Sequence, residues 1–345
     1  MEGPERSLSS ADRLYRGHVG TDIYPLVTIS KLALPSQVLK CPFKLGKIER
    51  PGSYYSVITQ AQIQVQGKLM KVVFKTYRRI NDTTATKVAQ VGAAYNWLSR
   101  RRLTAAQRTY REVVAWVILA SSSGRCDNIN QFHGVCFADP RLIPEAFPGI
   151  PSIVTDYVKY GSLEYTEGQD FGLKLDIVRQ LANGLSFMHS LNVIHGDIKP
   201  DNFRVTEDGI VKIIDLGLSR EETIEHTGLT TTIHPSYLFL APELIIPDED
   251  DISMFVTKAS DVYAFSMTAL QILDGRGYAS RPFNHRQGPY PVRKAIVTQQ
   301  WPQQQQYPGV IPQAWKIVSA CWTSEPSIRP SIDALLADLS AVSLL

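Results

Sequence analysis

The stretch from Asp261 to Leu273 is apolar nearly all the way round a helical wheel. A helix without a polar face must be enclosed on every side, so this segment belongs in the middle of a helical domain. Other helical periods gather near it in the chain. Ile177, Val178, Leu181, Leu185 and Met188 recur at spacings of three and four, and Trp315 to Leu339 is again helical in texture. The first part of the chain reads differently. Ser56 to Val65 partly alternates, Gln66-Gly67-Lys68 makes a turn, and Met70 to Tyr77 follows as another strand. Residues 105–120 interpose one amphipathic helix with Tyr110, Val113, Val114, Val117 and Ile118 on its stripe, and Ser152 to Tyr157 returns to β texture. Strands first and helices later predict an α+β chain, a β-rich lobe with one main helix followed by an α-helical lobe. A chain of 345 residues, 44% of them hydrophobic, is long and apolar enough for two such lobes and is not a disordered one.

Charge and cysteine usage exclude several classes. Lys+Arg 36 against Asp+Glu 33 leaves a formal charge of +3, which is no electrostatic footprint for nucleic acid. The run Arg100, Arg101, Arg102 reads as a solvated helix end. Cys41, Cys126, Cys136 and Cys321 have no metal-type spacing and make no disulfide framework, so reduced thiols in a cytoplasmic protein are expected. The longest aliphatic run, Val113 to Ala120, is too short for a bilayer. The N-terminus lacks the apolar core of a signal peptide, and Glu2 is incompatible with N-myristoylation. No membrane insertion is expected.

The chemistry concentrates in His195-Gly196-Asp197-Ile198-Lys199-Pro200-Asp201-Asn202, followed by Asp215-Leu216-Gly217. Between them, Phe203 to Val205 and Ile210 to Ile214 read as a hairpin turning at Glu207-Asp208-Gly209. A hairpin returns its two ends to one place, so it gathers Asp197, Asn202 and Asp215. Hard oxygen donors of that kind suit Mg²⁺, which binds few carboxylates together with substrate phosphates. Phosphoryl transfer asks little more of a protein than positioning, charge neutralisation and a group to orient the nucleophile.

These residues resemble the eukaryotic protein kinases, most of all their tyrosine-kinase-like serine/threonine branch. The loop matches His-x-Asp-x-Lys-x-x-Asn, and Asp215-Leu216-Gly217 matches the metal-binding Asp-Phe-Gly with Leu for Phe. Ala241-Pro242-Glu243, Asp261 and Arg329 match three further motifs of the large lobe in the family's order. Singly, each is an ordinary surface charge or cap; together and in order they are specific. The resemblance implies a bilobal kinase fold over residues 43–340, with an N-lobe at 43–157, a C-lobe at 158–340 and an N-terminal extension at 1–42. It implies ATP and Mg²⁺ as cofactors, proteins as substrates and a place in signal transduction. Asp197 would orient the attacking hydroxyl, Lys199 would neutralise the γ-phosphate, and Asn202 and Asp215 would hold the metal. Lys75 would grip the α- and β-phosphates and pair with Glu112. Gly52, Val57 and Val73 would line the nucleotide, Thr155 would be the gatekeeper, and the backbone of Asp156 and Val158 would meet the adenine edge.

Some positions depart from the family. Arg50, Gly52 and Tyr55 stand where three glycines are expected, which points to altered nucleotide binding. Gly196 replaces an arginine that answers a phosphorylated activation segment, implying order without that phosphorylation. The chain between Lys75 and Glu112 is long, so residues 80–105 carry an insertion that either positions the Glu112 helix or is a tolerated surface addition. Three functions compete: a Ser/Thr protein kinase, a pseudokinase scaffold, and a small-molecule phosphotransferase of the aminoglycoside or choline kinase type. Lys199 and the motifs beyond Asp215 favour the first. The oligomeric state is not legible.

Overall fold

The computed structural model describes residues 44–45, 56–65, 68–77, 94–137, 146–147, 149–221, 235–245, 256–286 and 288–343. They fall into two compact units, one of residues up to 117 together with 131–157, the other of 118–130 with 158 onward. The expectations for residues 1–42, and for Arg50, Gly52 and Tyr55, lie outside the described residues.

The first unit is built on an antiparallel sheet. Its strands are β1 (Lys44–Leu45), β2 (Ser56–Val65), β3 (Lys68–Tyr77), β4 (Phe132–Cys136) and β5 (Ser152–Asp156), in the order β1-β2-β3-β5-β4. Pairing of β2 with β3 runs without interruption from Ser56↔Tyr77 to Val65↔Lys68. Strand β3 therefore starts at Lys68 rather than Met70, because a two-residue link already lets the strands pair. Alternation along β3 sorts its side chains onto two faces. Val72 and Phe74 join Ala61, Val154 and Cys136 in a buried apolar cluster. Tyr77, on the other face, packs with Ala105, Ala106 and Ile150. Lys75, two residues before Tyr77, shares that second face.

Helix α1 (Ala94–Ser121) supplies Ala105 and Ala106. It is 28 residues long, much longer than the 105–120 expected from its stripe. No glycine or proline interrupts it, so nothing stops the helix upstream of its amphipathic part. The later part of the 80–105 segment is thus a continuous extension of the Glu112 helix.

The second unit is mostly helical. Two small antiparallel sheets, β6 (Tyr160–Gly161) with β8 (Phe203–Val205) and β9 (Val211–Ile213), and β7 (Val193–Ile194) with β10 (Arg220–Glu221), carry the loops of interest. Its helices are α2 (Ser162–Thr166), α3 (Phe171–Ser190), α4 (Lys258–Asp274), α5 (Pro289–Val297), α6 (Pro312–Ser319) and α7 (Ile332–Ser340). Every residue of α4 from Ser260 to Asp274 is buried, as its apolar wheel requires. The side chain of Thr257 caps its N-terminus, accepting from the Ser260 N–H, and Gly275 ends it at φ 73°. The expected helical tail from Trp315 to Leu339 is two helices. Pro326 and Pro330 cannot continue a helix and mark the break between α6 and α7. Among the described residues, no helix is long and apolar enough to cross a membrane.

Candidate active site

In the first unit, Lys75 and Glu112 meet. Lys75 Nζ donates to Glu112 Oε1 at 3.0 Å and lies 2.9 Å from Oε2. Glu112 is only 1% exposed. A buried carboxylate is costly unless it is paired and hydrogen-bonded on both oxygens. The second oxygen is completed by a residue that motif matching did not identify: Tyr77 Oη donates to Glu112 Oε2 at 2.9 Å. The Tyr77 ring also lies beneath the ammonium of Lys75, 5.7 Å from Nζ to the ring centre. Its signal in the sequence is strand period two, since residues 75 and 77 face the same way.

Strands of the same unit carry most of the expected nucleotide-lining residues. Val57 is buried on β2, opposite Thr76, and Val73 on β3 pairs with Thr155 on β5. Thr155 is buried. At the end of β5, the Asp156 N–H donates to the Gln131 carbonyl at 3.0 Å and the Tyr157 N–H to the Lys71 carbonyl at 3.1 Å. Val158 belongs to the second unit and is 5% exposed. Among the described residues, neither its N–H nor its carbonyl has a protein partner.

The second unit holds the loop that follows β7. Its backbone hangs on Asp261, in the first turn of α4. Oδ2 of Asp261 accepts from the His195 N–H at 2.7 Å and lies 3.0 Å from His189 Nε2, and Oδ1 accepts from the Gly196 N–H at 2.8 Å. Asp261 is therefore an anchor and not the cap, a role taken by Thr257. His195 is fully buried, and its Nδ1 accepts from the Asp197 N–H at 3.2 Å, so the ring proton sits on Nε2. Burial, opposed by the carboxylates of Asp261, Asp197 and Asp215, holds this imidazole below its ordinary value. Gly196 has φ +78°, and a Cβ there would lie 2.8 Å from the Leu218 carbonyl oxygen. The glycine thus has a local backbone reason of its own.

At Asp197 the two carboxylate oxygens have different surroundings. Oδ2 accepts from Lys199 Nζ at 2.5 Å and from Asn202 Nδ2 at 2.8 Å. Oδ1 has no partner among the described residues. Asn202 Nδ2 also donates to the Asp197 carbonyl at 2.6 Å, so the amide nitrogen is committed to Asp197 and its oxygen is left for another ligand. The hairpin pairs Phe203↔Ile213, and the Ile214 N–H donates to the Asn202 carbonyl at 3.0 Å. That places Asp215 one residue from a direct backbone bond to Asn202. Asp215 Oδ1 accepts from the Gly217 N–H at 2.8 Å. An amide oxygen and a carboxylate suit a small hard cation that arrives with phosphate oxygens and water. No group of three His, Cys, Asp or Glu residues able to hold a metal occurs among the described residues.

Behind the loop, Arg329 makes a two-pronged contact with Glu243, both bonds 2.7 Å, and also donates to the carbonyls of Ala259 and Thr323. The Arg329 side chain is fully enclosed, and its guanidinium lies 5.4 Å from the Tyr263 ring centre.

A family model described as protein tyrosine and serine/threonine kinase matches residues 100–339. The chain belongs to that family of protein kinases. Tyrosine-protein kinase FRK of Homo sapiens is 28% identical over 192 residues, 53% of this chain and 36% of that protein. Serine/threonine-protein kinases PknA of Corynebacterium glutamicum is 30% identical over 224 residues, 63% of this chain and 45% of that protein. Serine/threonine-protein kinase STY17 of Arabidopsis thaliana is 24% identical over 222 residues, 63% of this chain and 35% of that protein. The chain spans less than half the length of these relatives. The family match begins after Lys75, so β2 and β3 lie outside it.

Proposed function

We propose that the chain is an ATP- and Mg²⁺-dependent protein kinase that transfers the γ-phosphate to Ser or Thr hydroxyls of proteins. The observation that carries this reading is the split environment of Asp197. Lys199 and Asn202 both hold Oδ2, which leaves Oδ1 as the acceptor for the proton of an incoming hydroxyl. Lys199 supplies positive charge within reach of the transferring phosphoryl group. Lys75, kept in place by Glu112 and Tyr77, is suited to the α- and β-phosphates. Asn202 and Asp215 would hold Mg²⁺, which when bound neutralises phosphate charge. The open N–H and carbonyl of Val158, with the backbone at Asp156, are the proposed contacts of the adenine edge. Lys199, placed two residues after the proposed base, supports Ser/Thr over Tyr acceptors, although relatives of both kinds are similar to this chain.

A second reading, a scaffold with weakened nucleotide binding, draws on Arg50 and Tyr55 at expected glycine positions. One experiment separates the two. The purified chain is incubated with Mg²⁺ and labelled ATP, with itself and with a generic protein substrate, beside Asp197→Asn and Asp215→Asn. Label on Ser or Thr that both variants abolish supports the kinase. No transfer and no ATP-induced thermal shift overturns it in favour of the scaffold, and transfer to aminoglycosides or choline alone points to small-molecule phosphotransfer.

A further inference from the structure

The paired stretch of β4, Phe132 to Cys136, contains one residue more than the stretch of β5 it faces, Ser152 to Thr155. Phe132 stands opposite Thr155 and Gly134 opposite Val154, so His133 has no counterpart on β5. This is a β-bulge, and Gly134 supplies its backbone at φ 121°, a conformation other residues rarely adopt. Bulges re-aim a side chain. Here the side chain is His133, whose Nε2 lies 2.6 Å from Asp156 Oδ1. A carboxylate oxygen only accepts, so Nε2 carries the proton of this bond.

Asp156 is the last residue of β5, and its N–H is held by the carbonyl of Gln131, the residue just before β4. The next N–H, that of Tyr157, is held by β3 through the Lys71 carbonyl. The His133 contact adds a side-chain restraint to these two. It matters because an aspartate at the end of a strand readily folds back to bond neighbouring backbone N–H groups and turns the chain. The contact with His133 withdraws Oδ1 from that alternative. The peptide between Asp156 and Tyr157 is then set in one orientation before any ligand arrives, which lowers the ordering cost of binding.

We propose that His133 is a positioning residue for the nucleotide base, acting through Asp156. The inference rests on the kinase reading, in which the backbone at Asp156 meets the adenine edge. It assigns His133 to binding and not to the chemical step. A charge-assisted hydrogen bond of this kind supports an effect of about tenfold on affinity.

The test is calorimetric titration with Mg²⁺-ATP and steady-state kinetics on the full chain. The proteins compared are the unmodified chain, His133→Phe, His133→Gln, Asp156→Ala and the double variant His133→Phe with Asp156→Ala. His133→Phe is expected to raise Kd and KM for ATP about tenfold with kcat within about twofold. His133→Gln keeps an N–H donor and is expected to recover most of the loss. In the Asp156→Ala background, His133→Phe is expected to change nothing further. Equal affinity of His133→Phe and the unmodified chain overturns the inference, as does an undiminished loss in the Asp156→Ala background. Should His133→Phe fail to fold, His133→Gln against Asp156→Ala still decides, since only the second should then weaken ATP. An unmodified chain that binds no ATP overturns the kinase reading itself, and His133's role with it.

Discussion

Tyr77 gives the buried carboxylate of Glu112 a hydrogen-bond donor on Oε2 in addition to the ammonium of Lys75. Bonds to charged groups contribute about 1.5–3 kcal/mol, so Tyr77→Phe should lower kcat/KM at least tenfold while leaving the ring packing intact. Activity and melting temperature measured together check this, because a purely structural role would move only the second. His195 makes a prediction of a different kind. Burial lowers its pKa from the ordinary 6.5, so the unfolded chain takes up a proton at this site before the folded chain does. Stability from this group is therefore full above that ordinary value and is lost as the pH falls toward the depressed one, by up to about 1.4 kcal/mol per pH unit. Urea unfolding at a pH above and a pH below the ordinary value should show a larger drop for the unmodified chain than for His195→Gln. Equal drops would mean that other groups carry the acid sensitivity. At this scale the sequence was legible where residues come in a fixed order, as Asp197, Lys199 and Asn202 do. Tyr77 and His133 were not, because each bonds a carboxylate far away in the chain, and nothing in the spacing of 77 and 112 or of 133 and 156 announces a contact.

Elements were legible where one period ran long. The all-apolar wheel of Asp261 to Leu273 is α4, and the expected hairpin is β8 and β9 in the register that brings Asn202 beside Ile214. Boundaries were less so. The stripe of α1 covers only the part that packs, and the upstream turns continue because no breaker stops them. Conversely, the apolar texture from Trp315 onward concealed two prolines that divide α6 from α7. Strand β4 escaped notice because its bulge at His133 disturbs the alternation by which a strand is recognised. The cap of α4 offers a measurable consequence. Thr257 accepts from the Ser260 N–H, and the Ser260 hydroxyl returns a bond to the Thr257 backbone. Thr257→Ala should destabilise the fold by about 1 kcal/mol. Thr257→Ser should not, and denaturant melts of the two variants test the difference.

Across the whole molecule, the order of textures, strands first and helices after, was enough to anticipate an α+β chain of two lobes; the kinase resemblance came from the ordered motifs between His195 and Arg329, and the family match over residues 100–339 agrees with it. The motif-bearing residues of the first unit, Lys75 and Glu112, are set on elements with buried faces, whereas Asp197 and Lys199 of the second unit sit on a loop. That loop hangs from Asp261, a residue in the first turn of the most enclosed helix in the unit, through the N–H groups of His195 and Gly196. Loop amides ordinarily exchange with solvent through small local openings. These two cannot open without withdrawing α4 from its surroundings. In deuterium exchange followed by NMR, the amides of His195 and Gly196 should protect as long as those at the centre of α4, a loop segment exchanging at the rate of the global unfolding event. Exchange as fast as that of an exposed turn would show that the anchor yields independently of the helix that carries it.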